Sequence, residues 1–116
     1  MRTIFKSGTA VLLTTLFISG AAYAADLTAK SGMTLYSFDK DVGGVPTCYD
    51  ACATNWPPYL AAEGDTMPNG WTLVDRKDGK KQWAYDKKPL YFYKNDAKSG
   101  DMMGDGLNGV WHVIKE

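Results

Sequence analysis

Pro89-Leu90-Tyr91-Phe92-Tyr93-Lys94-Asn95-Asp96 alternates small or apolar residues with aromatics and then stops at a polar turn, the pattern of a half-buried strand. It has an echo in Thr34-Leu35-Tyr36-Ser37-Phe38-Asp39-Lys40-Asp41. Both carry Leu, Tyr, a second aromatic two positions on, and Asp five positions after the Tyr. The offset from Tyr36 to Tyr91 is 55 positions. The same offset carries Leu35 to Leu90, Phe38 to Tyr93, Asp41 to Asp96 and Trp56 to Trp111 without a gap. Five matches at one spacing, two of them in the rare Tyr and Trp, are a poor fit to chance. The chain reads as a duplicated strand–loop–Trp unit, about residues 32–60 and 87–116. Neither half can bury its own apolar face, so the two share a core.

Between the copies lies a hairpin signal. Trp71 to Lys77 and Lys80 to Tyr85 flank Asp78-Gly79, a dipeptide suited to a two-residue turn in which both positions take positive φ. That turn predicts Val74 opposite Trp83 and Thr72 opposite Tyr85, with no second copy of the hairpin in the chain. A turn at Asp86-Lys87-Lys88 leads into a third strand, Leu90 to Lys94, completing a meander. Cys48 to Asn55 is expected as a short helix capped by Thr47 and ended by Trp56-Pro57-Pro58. Leu27-Thr28-Ala29 adds an edge strand. The glycine-rich stretch Ser99 to Gly109 is a long loop, and Val110 to Ile114 closes the chain as a strand.

The first 24 residues read as a cleaved signal peptide. Arg2 and Lys6 precede the apolar run Thr9 to Ile18, and Ala22-Tyr23-Ala24 is a small-x-small site, placing the cut before Ala25. The run is too short to span a bilayer core of ~30 Å. No Cys follows it, so no lipid anchor is expected. Residues 25–116 then form one small domain, periplasmic or secreted. Removing the leader takes two positive charges and no negative one from a chain of formal net charge 0. A weakly acidic domain of this kind does not favour a nucleic-acid partner.

The repeats resemble a known bacterial family, secreted and lipid-anchored proteins built on a repeated Tyr-x-(Phe/Trp/Tyr)-x-x-Asp motif, described as a secreted repeat of unknown function. Tyr36-Ser37-Phe38-Asp39-Lys40-Asp41 and Tyr91-Phe92-Tyr93-Lys94-Asn95-Asp96 carry the resemblance. Cys48-x-x-x-Cys52, Trp56-Pro57-Pro58 and Gly109-Val110-Trp111-His112 are similar to it as well. It implies a shared fold over the mature chain and carries no activity with it.

Few residues offer chemistry. Cys48 and Cys52 are the only cysteines, close together in an exported chain, and read first as a structural disulfide closing a tiny loop. The alternative is a copper or zinc site, or a redox-linked one, built from Cys48, Cys52, Met102, Met103 and His112, since thiolate, thioether and imidazole suit soft ions. Asp39, Asp41, Asp96, Asp101 and Asp105 fall on the two motif loops. They read as turn residues, with a calcium site as the alternative. Tyr36, Phe38, Trp56, Tyr91, Tyr93 and Trp111 read as core, or else as an aromatic groove for a peptide or glycan. His112 is the only histidine, and neither a Ser-His-Asp set nor a phosphate-cradling loop is present.

The expectation is therefore a mainly β single domain, an antiparallel sheet or partly closed barrel of two pseudo-repeats around a central hairpin, with one short helix. In function it is a non-enzymatic periplasmic binding or interaction module for an envelope protein or small ligand, without a cofactor. The alternative is a copper- or zinc-binding, or redox-linked, accessory protein of the envelope.

Overall fold

The computed structural model describes residues 25–116; the expected leader, 1–24, lies outside the described residues. The fold is mainly β. Strand β1 (Tyr36–Phe38) pairs antiparallel with β5 (Trp111–Val113), and β2 (Trp71–Asp75), β3 (Lys81–Tyr85) and β4 (Lys88–Pro89) form an antiparallel meander. One helix, α1 (Ala51–Asn55), and two 3-10 turns, Val42–Gly44 and Leu107–Gly109, complete the elements. Among the described residues no sheet closes into a barrel.

The strands are short because each chain segment changes partner after a few residues. Tyr36 and Tyr91, the two motif tyrosines, exchange both backbone hydrogen bonds (2.8 and 3.0 Å) and so join the two sheets. Around this bridge the backbone repeats itself. Tyr36 pairs with Val113, and Tyr91 with Pro58. Asp39 N donates to Val110 O as Lys94 N donates to Asn55 O. Leu27 N donates to Ile114 O and Leu35 N to Leu27 O; correspondingly, Trp83 N donates to Tyr59 O and Leu90 N to Trp83 O. The duplication thus reaches back to a segment around Leu27, whose counterpart is β3. The expectation that the hairpin has no second copy is corrected for β3; among the described residues β2 has no counterpart. A three-residue turn after Ala29, against the two-residue turn after Tyr85, accounts for an offset that changes by one between these segments.

Three further expectations are corrected. The hairpin register is Thr72 opposite Ala84, Leu73 opposite Trp83 and Val74 opposite Gln82, one residue away from that expected. Asp78 does not take positive φ; only Gly79 does, at 85°. Gly79 N bonds Arg76 O and Arg76 N bonds Lys80 O, so the loop is Lys77-Asp78-Gly79, the three-residue type in which a left-handed glycine ends a type I turn. The two-residue turn with both positions left-handed is Asp86-Lys87 instead (φ 50° and 66°). Thr47, expected to cap the helix, does not: α1 begins after Asp50 and has no side-chain cap, and the Thr47 hydroxyl donates to Asp41 instead.

Alternation along the motif strands sorts the core into two clusters. Leu35 and Leu90 point to one side, with Leu27, Ala29, Trp83 and Ile114. Tyr36 and Tyr91 point to the other, with Cys48, Trp56 and Trp111.

Candidate functional site

The second cluster gathers every motif side chain around the axis relating the repeats. Trp56 and Trp111, equivalent in the two copies, stack with ring centroids 3.8 Å apart and planes 3° from parallel. Phe38 stacks on the outer face of Trp111 at 4.0 Å and Tyr93 on that of Trp56 at 4.3 Å. The result is a four-ring column, Phe38–Trp111–Trp56–Tyr93, whose outer rings are partly exposed and whose indoles are buried. Tyr36 meets Trp56 edge-on at 5.2 Å and Tyr91 meets Trp111 at 5.3 Å, the preferred geometry for rings that cannot stack.

The hydroxyls cross between the repeats. Tyr36 Oη donates to Asp96 Oδ2 at 2.6 Å, and Tyr91 Oη donates to Asp41 Oδ2 at 2.8 Å. Each carboxylate then caps its own loop. Asp41 Oδ1 accepts from Thr47 N and Oγ1, and Asp96 Oδ1 accepts from Met103 N. Gly104 N donates to the Tyr36 oxygen at 3.2 Å. Burial first, and then the adjacent carboxylates, push both phenols well above the ordinary tyrosine range. Burial also raises Asp41, while bonds from Thr47 and Tyr91 and the nearby Arg76 charge pull the other way.

Gly104 makes the column possible. A Cβ there would lie 2.5 Å from Trp56 Cη2 and 3.0 Å from Tyr93 Cδ2, so no side chain fits between the second loop and the rings. In the first repeat Cys48 and Cys52 occupy the matching side of the cluster. They form a disulfide with Cα atoms 5.2 Å apart, and in this state neither sulfur is a thiolate.

The other nominated residues are dispersed. His112 Nε2 lies 2.8 Å from Asp39 Oδ2 at the surface of the β1–β5 pair. The Met102 and Met103 side chains are exposed. Asp101 caps the 97–98 turn, and Asp105 accepts from Val113 N. No group of three or more His, Cys, Asp or Glu side chains converges among the described residues.

Sequence reasoning missed Arg76 and Gln82. Arg76 is 5% exposed and donates to Gln82 Oε1 (2.8 Å), Cys48 O (3.3 Å) and Asp78 Oδ2 (3.1 Å), with its guanidinium over the Tyr49 ring at 4.3 Å. Gln82, fully buried, passes the chain on to Leu90 O at 2.7 Å. A planar fork suits this multiple role. The only signal in the sequence was an arginine among lysines, Arg76-Lys77 and Lys80-Lys81.

Outside the cluster, the outer edge of β2 has no strand partner among the described residues. Beside it, Leu73, Lys81 and the 61–65 loop line an open cavity of about 380 Å³, and the Leu60 and Leu73 side chains are exposed.

A family model described as a secreted repeat of unknown function matches residues 24–59 and 72–115, one segment for each repeat seen in the backbone pairing. Comparison with curated proteins finds no match, and neither does comparison with solved structures. The family is described as secreted, which makes this an exported protein. With both segments matched over most of the chain, the protein belongs to this family of secreted repeats of unknown function.

Proposed function

We propose that the protein is a non-enzymatic binding or interaction module of the periplasm or extracellular space, released by cleavage before Ala25. One observation carries this reading. Tyr36, Tyr91, their carboxylates and the two indoles are all spent on the other repeat, so the four buried aromatic residues that suggested a groove are not free to meet a ligand. What remains for a ligand is the outside, and there the open β2 edge, exposed Leu73 and the cavity that Leu73 lines lie together. An open strand edge offers backbone hydrogen bonds to an extended segment, and flanking apolar side chains give selectivity. The proposed ligand class is an extended polypeptide segment of an envelope protein.

A photo-crosslinking residue at Leu73, with the same residue at Met103 as control, tests the proposal in cells. Discrete adducts at Leu73 and none at Met103 support it. Adducts at neither position, or equally at both, refute it.

A further inference from the structure

We infer that the centre between the repeats is a one-electron redox relay, in which the Trp56–Trp111 stack surrenders an electron to a strong one-electron oxidant and Tyr36 or Tyr91 refills it while passing its phenolic proton to Asp96 or Asp41.

Four observations meet in this site. First, the two indoles are stacked in register at 3.8 Å and 3°, so a positive hole on one ring is shared with the other and costs less to form than on an isolated indole. Second, the column ends in partly exposed rings, Phe38 and Tyr93, at 4.0 and 4.3 Å from the indoles. The electron therefore reaches an oxidant at the surface while the indoles, 3% and 5% exposed, stay shielded from water. Third, each indole has a tyrosine edge-on to it at 5.2 or 5.3 Å, close enough that electron transfer is not limiting. Fourth, each tyrosine already donates its proton to a carboxylate, at 2.6 and 2.8 Å. A phenol gives up an electron readily only when its proton leaves in the same event, and here the acceptor is in place and bonded.

The step balances. The indole pair loses one electron to the oxidant, which is reduced by one. The tyrosine then gives one electron to the indole radical cation and one proton to the carboxylate. The indole pair is restored, leaving a neutral tyrosyl radical and a neutral carboxylic acid. The cysteines are not involved: both are already oxidised to the disulfide.

The test uses the mature oxidised protein and photogenerated ruthenium(III) tris-bipyridine, followed by transient absorption and by electron paramagnetic resonance. An indolyl radical should appear first and decay as a tyrosyl radical grows, with the growth slowed in heavy water. In the Tyr36→Phe/Tyr91→Phe double variant the coupled tyrosyl growth should be lost and the indolyl radical should outlive that of the wild type. Tyrosyl growth with no indolyl precursor, or an unchanged tyrosyl yield in the double variant, would overturn the relay. The heavy-water comparison on the wild type needs no variant to fold, and growth equally fast in both solvents would overturn it too.

Discussion

Replacing Tyr36 by Phe removes one oxygen and disturbs two groups at once. Asp96, 7% exposed, loses the hydroxyl donor on Oδ2 and keeps only Met103 N on Oδ1. The buried Gly104 N–H loses its acceptor. A hydrogen bond to a charged group contributes about 1.5–3 kcal/mol, and a buried donor left unpaired costs about 1 kcal/mol or more, so Tyr36→Phe should destabilise by about 3 kcal/mol. The same change at Tyr91 should cost less, about 1–2 kcal/mol. Asp41 is less buried than Asp96 and retains two bonds from Thr47. For a domain of this size, the larger loss lowers the melting temperature by on the order of 15 °C. Urea and thermal unfolding of the oxidised mature protein at neutral pH, followed by tryptophan fluorescence, give both numbers. Adding Asp96→Asn should then cost much less in the Tyr36→Phe background than alone, because the two share one interaction. A loss below about 1 kcal/mol for Tyr36→Phe, or an equal loss at Tyr91, would refute the account of crossed, unequal locks.

Three further outcomes follow from the same geometry. Tyr36 and Tyr91 are held above the ordinary value of 10.0, so above that pH the unfolded chain releases phenolic protons that the fold retains. Stability present below pH 10 is therefore lost as pH rises beyond it, and urea midpoints across that range should fall in the wild type and flatten in the Tyr36→Phe/Tyr91→Phe variant. Gly104→Ala drives a methyl into a ring already packed on both faces and should destabilise by about 1–3 kcal/mol or more, with altered near-ultraviolet circular dichroism from the indole pair. Cys48→Ser with Cys52→Ser opens a very small loop and should cost only about 2 kcal/mol in urea unfolding, leaving the fold intact.

The duplication was legible because it runs at one offset through aromatic residues that chance seldom repeats. Its reach was not. Leu27-Thr28-Ala29 and Trp83-Ala84-Tyr85 share no residue at matched positions, and only their backbone bonds to Ile114 and Tyr59 reveal them as equivalent. The hairpin was legible in Asp78-Gly79 and its register was not. Dipeptide preference presumes a two-residue loop, while the loop length is set by the ladder on either side, here from Arg76–Lys80 onward. Asp86-Lys87 carries no left-handed signature, yet it makes the tight turn because pairing of Tyr85 with Lys88 requires it. Arg76 lies between Asp75 and Lys77, and Gln82 follows Lys80-Lys81, so both resemble surface residues. They are buried because the loop bearing Cys48 and the segment around Leu60 close over that part of the hairpin.

The spacing of the motif has a single mechanical explanation. The Tyr sits on the strand, the aromatic two positions on points to the same side and enters the ring column, and the Asp five positions on lies past the turn, where it can cap its own loop. Within one copy, however, Tyr and Asp are not partners. Tyr36 reaches Asp96, and Tyr91 reaches Asp41. The indoles follow the same rule, since each is the other's stacking face. A single copy therefore carries a phenol donor, one free carboxylate oxygen and half of a ring column, each awaiting a partner. Every one is satisfied by a second copy turned about the axis between Trp56 and Trp111. The motif is thus a complementarity rule between repeats, and this explains why its residues recur as a set rather than singly. It also explains why the radical chemistry inferred for this centre comes in two arms: the geometry that locks the halves together places one carboxylate-bonded tyrosine against each indole.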